Sequence, residues 1–374
     1  MILLKLKITA LLLAVSLIPS LSFASGKLTY EEALKTSINN NLSIERGSDT
    51  VDNIQNTLQT GIPAQSLSNS SQFQGQGAQG GQYEPNPVSS INQSIQYQTL
   101  LDNEQISKQS LTVQKDAIEV NLKAIFVKIK NLEENDKLIK EKINNKNTNI
   151  GISRVKYQKG VISKIDLENQ EIEVEQLKNS LKENKLQLDM AYKDLANVMN
   201  TKVDRKIDYI SIPYKTLSQN GISKENVVGS AISQAPTIMQ QNSQIKQLEE
   251  KIKYSLIDYA NSSLPKEESN TDLNIKDVDL RISKQNIKNA VLDSVNSVEN
   301  IETNVKNLQT QIDNAKRQAK NLKKLVDLGF KTKIDLENLN LQIKEMELQL
   351  ENAKSNHGVM IERLKKPYLL SVQG

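Results

Sequence analysis

The hexapeptide Lys164-Ile165-Asp166-Leu167-Glu168-Asn169 recurs unchanged as Lys333-Ile334-Asp335-Leu336-Glu337-Asn338, an offset of 169 residues. A fixed offset marks one structural unit present twice. Outward from the first copy, Leu167, Val174, Leu181, Leu188 and Leu195 repeat every seven residues, with Gln170, Leu177, Asn184 and Ala191 filling the three-four spacing. The same shift lands on Leu336, Ile343, Leu350, His357 and Leu364, filled by Leu339, Met346, Ala353 and Met360. Upstream, Leu111, Ile118, Leu122, Ile125, Ile129 and Leu132 keep the same rhythm, as do Leu280, Ile287, Val291, Val298 and Ile301. A spacing averaging 3.5 residues specifies left-handed helix-on-helix packing. Each copy is therefore expected to be a long helix, a turn and a long return helix, and the fold class is all-α, two tandem coiled-coil hairpins. A helix of roughly 55 residues rises about 80 Å at 1.5 Å per residue.

The turns fall at Lys159-Gly160-Val161-Ile162-Ser163 and Leu328-Gly329-Phe330-Lys331-Thr332. Glycine tolerates the positive φ that ends a helix, a hydroxyl caps the free amides of the next one, and Asp166 and Asp335 favour its positive end. A second matched pair opens each copy: Leu28-Thr29-Tyr30-Glu31-Glu32-Ala33-Leu34, with Thr29 and Glu32 spaced as a capping box, against Ile222-Ser223-Lys224-Glu225-Asn226-Val227-Val228. This offset is 194, so the first copy holds about 25 extra residues, assigned to the Gly/Gln/Ser/Asn-rich stretch 61–90. That stretch is expected to be a polar loop, with Ile91, Ile95 and Tyr97 sketching at most a weak strand; the matching place, 261–276, is shorter and also polar. The chain then divides into a leader (1–24), a first repeat (25–200), an extended connector (201–221), a second repeat (222–366) and a tail (367–374).

Composition agrees with thin rods. Hydrophobic residues are 37% and aromatics 4%, with no Trp, too little to fill a multilayer core but enough for apolar stripes. The 48 Lys and Arg against 44 Asp and Glu are interleaved, which argues against a clustered nucleic-acid face. The absence of cysteine removes disulfides and thiolate chemistry. Lys5 and Lys7, the short apolar run 8–18 and Ser22-Phe23-Ala24 have the form of a secretory signal cleaved after Ala24, which places the remainder outside the cytoplasm, without a transmembrane helix. No nucleophile, metal cluster or phosphate loop assembles. His357 falls on a helical seam without a cysteine partner, and Gly75-Gln76-Gly77 neither follows a strand nor opens a helix. The expectation is a protein that is not an enzyme and carries no cofactor or metal.

Duplicated hairpins of this length, each opened by a short capped helix and turned by Gly160-Val161-Ile162-Ser163-Lys164-Ile165-Asp166 or Gly329-Phe330-Lys331-Thr332-Lys333-Ile334-Asp335, resemble the TolC family of envelope efflux and secretion ducts. The resemblance covers nearly all of the chain after the leader. It implies a homotrimer whose twelve helical elements form a tapered hollow cylinder, docking by its hairpin turns onto a membrane-fusion adaptor joined to an inner-membrane pump, an ABC or other transporter. Gly160, Ser163, Gly329 and Thr332 would shape the docking tip, and Asp166 and Asp335 would lie near the pore constriction. Asn338 stands where the family can carry a second acidic residue, which puts cation binding there in doubt. Family members of an outer membrane insert two strands per copy, each of about 9–11 residues. Stretch 61–90 lacks the alternating pattern and 261–276 lacks the length, so the chain is expected to keep the helical duct with little or no barrel. The leading expectation is an exported conduit component of the cell envelope, on the cell-wall side if no outer membrane is present. The alternative is a structural or adhesive coiled coil that conducts nothing.

Overall fold

The computed structural model describes residues 26–60, 87–204, 206–255 and 266–372. The leader and most of the polar stretch, 61–86, lie outside them, as does 261–265 of its shorter counterpart. The described residues form α1 (Tyr30–Asn39), α2 (Leu42–Thr60), α3 (Pro87–Gln158), α4 (Lys164–Met199), α5 (Lys224–Ser233), α6 (Pro236–Ser255), α7 (Lys266–Asp327) and α8 (Lys333–Leu364). Short 3₁₀ turns follow at Ser218–Asn220 and Pro367–Val372. No strand occurs among the described residues; the one β contact is an isolated bridge between Leu28 and Ile207. No described helix is long and apolar enough to cross a membrane.

Each copy is built alike. A long helix, α3 at 72 residues or α7 at 62, is accompanied along one half by a shorter helix, α2 or α6, and along the other by the return helix, α4 or α8. The periodic positions point inward: Leu122, Phe126 and Ile129 of α3 are buried, as are their counterparts Val291, Val295 and Val298 of α7. On the return helices Val174, Leu195, Ile343 and Leu364 are buried at matching places. The opening segments match at their own offset, with Ile44 and Val51 buried like Ile238 and Ile245. Fully burying such a side chain contributes about 1.5–3 kcal/mol, so the stripes hold the rods together.

The long helices exceed the expected length because α3 begins at Pro87, where a weak strand was the most the residues promised. Proline suits a first helical turn. Ile95, Ile106 and Val113 then lie near whole numbers of 3.6-residue turns from one another, so Ile95 opens a helical stripe rather than an alternating one, and it is buried. Likewise α7 starts at Lys266, inside the stretch expected to be a polar loop; Leu273 packs onto the core of its copy and supplies the apolar contact that keeps this turn helical. The return helices, at 36 and 32 residues, are shorter than expected because α2 and α6 take over the other half of each rod.

The copies meet where α3 lies against α6 and α8. Ion pairs cross this junction: Lys123 to Glu362 at 2.7 Å, Lys142 to Glu345 at 2.8 Å and Lys344 to Glu141 at 2.6 Å. The segment expected to be a tail is a latch. Tyr368, Leu369 and Leu370 are buried, Lys366 contacts Asp116 at 2.6 Å and Glu119 at 2.5 Å, and the Tyr368 hydroxyl donates to Asp116. The connector is held by two equivalent glutamates. Glu133 accepts from the hydroxyls of Tyr192 and Tyr209, and Glu302 accepts the Leu217 N–H at 2.6 Å while facing His357 Nε2 at 3.1 Å.

Candidate functional site: the paired hairpin tips

Both tips are built by the same backbone chemistry. Gly160 has φ 71° and Gly329 φ 77°, the left-handed region that an L side chain enters only at a cost. Around them the helix-ending hydrogen bonds repeat. The Gly160 N–H reaches the Tyr157 carbonyl at 2.9 Å and the Val161 N–H the Lys156 carbonyl at 2.9 Å. At the other tip Gly329 reaches Val326 at 3.0 Å and Phe330 reaches Leu325 at 2.8 Å. This double closure is the Schellman pattern, which satisfies carbonyls left over at a helix end.

The next helix then starts on a capping box. Ser163 Oγ accepts from the Asp166 N–H at 3.1 Å, and the Asp166 carboxylate accepts from the Ser163 N–H at 3.1 Å and from its hydroxyl at 2.7 Å. Thr332 and Asp335 repeat this at 3.2, 3.0 and 2.8 Å. These bonds hold both carboxyls below the usual range: the Ser163 hydroxyl and then its N–H for Asp166, the Thr332 N–H and then its hydroxyl for Asp335, with Lys331 and Lys156 adding to the second. Each aspartate is thus charged and turned back onto its own helix start.

The tips are neighbours. Asn149 on α3 donates to Asn338 on α8 at 3.5 Å, and an open cleft of about 540 Å³ runs between the hairpins, lined by Lys142, Lys146, Glu173 and Glu345 among others. Asn338 therefore faces the other copy. What the turns present outward is apolar: Val161 is 67% exposed, Ile165 67%, Leu328 69% and Phe330 75%. The sequence showed Phe330 as one of four phenylalanines placed inside a turn, which was the available signal for this patch. Among the described residues no cluster of three or more His, Asp or Glu could hold a metal.

The chain is thus a tandem pair of helical hairpins with matched Schellman turns, joined side by side. No protein-family model matches the chain, and no curated protein matches it by sequence. Solved structures do match in fold. CusC, described in terms of folding and transmembrane channel formation, superposes with a TM-score of 0.63 at 9% identity, covering 91% of both chains. The CmeC outer membrane channel of Campylobacter jejuni gives 0.62 at 12% identity, over 91% of this chain and 86% of that one. The outer membrane protein VceC of Vibrio cholerae gives 0.63 at 9%, over 92% and 96%. The chain has the fold of the TolC-type channels, at identities where likeness speaks for fold alone.

Proposed function

We propose that this chain is one subunit of a homotrimeric conduit in the cell envelope, which passes cargo for efflux or protein secretion and docks by its hairpin tips onto a membrane-fusion adaptor served by an inner-membrane transporter. The observation that carries this is the exposed apolar patch on two stereochemically matched tips. Val161, Ile165, Leu328 and Phe330 gain nothing for the fold where they stand, and an apolar patch held on a rigid turn suits a partner protein. The shared fold with outer membrane channels supports the same reading. At the assembled entrance Asp166 and Asp335 narrow the passage by fixing where α4 and α8 begin, their charge partly spent on the capping boxes. Nothing in the site calls for a reaction, so the conduit works by guiding cargo.

The test is binding of a purified membrane-fusion adaptor from the same cell to wild type, to Phe330→Ser with Val161→Ser, and to Gly160→Leu with Gly329→Leu. A Cβ at either glycine meets no atom within 4 Å, so the cost of the leucines is the backbone strain alone, about 1–2 kcal/mol each. Both variants should keep wild-type circular dichroism and lose adaptor binding at least tenfold. Unchanged binding by the folded variants would reduce the tips to structural turns.

A further inference from the structure

The two tips share a backbone but not a charge. Over matched windows, 147–168 holds four cations and two anions and 316–337 holds seven and three, so eleven of the chain's 48 Lys and Arg meet five of its 44 Asp and Glu at this end. The remaining 37 cations face 39 anions, so the chain's positive surplus sits at the tips, and mostly on the second. The repeat offset shows which positions carry it. Arg317, Lys320 and Lys324 of α7 stand where α3 has Thr148, Gly151 and Val155.

These three form a stripe. At 3.6 residues per turn they lie about half a turn round α7 from the buried Ala315, and all three are exposed. Lys316 and Lys333 nearby are held by Glu347 at 2.7 Å and Glu337 at 3.7 Å. Arg317 donates to Asn314 of its own helix, and neither it, Lys320 nor Lys324 makes an ion pair among the described residues. Like charges three and four residues apart on a helix repel, so the stripe works against α7 and the fold gives no reason for it. Its lower end runs into the exposed Leu328 and Phe330.

The structure also narrows what could cover the stripe. A second copy of the chain has little to offer, because the glutamates on the tip-ward half of α4 are already engaged: Glu168 by Lys164 at 3.0 Å, Glu171 by Arg154 at 2.8 Å, Glu173 by Lys146 at 2.5 Å and Glu175 by Lys178 at 3.2 Å. An anionic membrane met end on would not reach Arg317, which lies about 15 Å along the axis from the end of α7 at Asp327, whereas exposed charges act over about 8 Å at physiological salt. A stripe along the flank suits an elongated protein surface. We propose that the second tip is the charge-reading half of the docking surface: an acidic segment of the partner protein lies along Arg317, Lys320 and Lys324 and ends against Leu328 and Phe330. The inference rests on the adaptor-docking reading and adds to it the partner's charge and the inequality of the two tips.

The test is binding of the purified membrane-fusion adaptor to the full chain at low and at high salt. Wild type is compared with Arg317→Gln, Lys320→Gln and Lys324→Gln combined, and with a control combining Lys182→Gln, Lys185→Gln and Lys288→Gln, three exposed lysines of the rods. The stripe variant relieves repulsion and should keep wild-type circular dichroism. It should bind about tenfold more weakly at low salt and lose most of the salt dependence, while the control follows wild type in both. Unchanged affinity and salt dependence in the stripe variant, with Gly160→Leu and Gly329→Leu still losing the adaptor, would overturn the acidic contact and leave tip docking standing. No adaptor binding by wild type at either salt would overturn both. Mass photometry and flotation with phosphatidylglycerol vesicles separate the other occupants. Trimers lost in the stripe variant alone would assign the stripe to a second copy, and vesicle binding by wild type but not by the stripe variant would assign it to a membrane; either result overturns the proposal.

Discussion

Glu302 offers a sharp test of how the connector is held. Its carboxylate takes the Leu217 N–H at 2.6 Å and faces His357 Nε2 at 3.1 Å, with the Tyr214 ring centred 4.7 Å from the imidazole. His357 is fully buried and its Nδ1 has no hydrogen-bond partner, so Nε2 makes the only polar bond of the ring. Glu302→Ala strands two buried donors at once. A buried group left unpaired costs about 1–3 kcal/mol, so the variant should lose about 3 kcal/mol. Glu302→Gln keeps an acceptor oxygen in place and should lose less than about 1 kcal/mol. Equilibrium urea unfolding, followed by far-ultraviolet circular dichroism and tyrosine fluorescence, measures both. A loss below about 0.5 kcal/mol for Glu302→Ala would refute the reasoning, because it would mean water satisfies both donors. Glu302→Gln as damaging as Glu302→Ala would show that charge, rather than acceptor geometry, carries the contact.

Gly358 lets the connector approach α8: a Cβ there would lie 2.5 Å from Ile212 Cγ2, so Gly358→Ala should cost about 1–3 kcal/mol despite its helix propensity, and Ile212→Ala should recover at least half. Additive losses in the double variant would contradict the close approach. The latch should fail in acid. Burial works to raise the Glu119 and Glu362 carboxyls, but the Lys366, Lys123 and Lys365 ammonium groups outweigh it and hold both below the usual range. Stability from a lowered carboxyl is present above its unfolded value and is lost as pH falls through the folded one, so melting should decline from about pH 4.5 downward, and less steeply in Lys123→Met. Equal slopes would clear the latch of that role. Thr332→Ala should cost about 1 kcal/mol by thermal melting while Thr332→Ser stays near wild type; equality of all three would show that the α8 cap contributes nothing.

What the sequence showed and what it hid follow from how each contact is encoded. The hairpins were legible because their seams are written in a period: Leu122 and Val291, or Leu195 and Leu364, sit at matched steps and are buried at matched steps. The turns were legible because Gly160 and Gly329 precede a hydroxyl and an aspartate at one spacing, and local hydrogen bonds need only local residues. The start of α3 was hidden because Gln, Asn and Ser dilute its stripe to Ile95, Ile106 and Val113. The junction between copies depends on Lys123, Glu362, Lys142 and Glu345, which read as solvated helix faces until α3 and α8 are side by side. Tyr368 read as part of a short tail for the same reason, since Asp116 is about 250 residues away. The tip patch needed exposure, which turn chemistry does not specify.

The reading of this chain as a conduit subunit stands most directly on the shape of its assembly. Electron-microscopy class averages of the purified protein, viewed end on, should show a threefold ring of twelve helical rods around an open centre. A single pair of packed hairpins, or a ring with a filled centre, would contradict it.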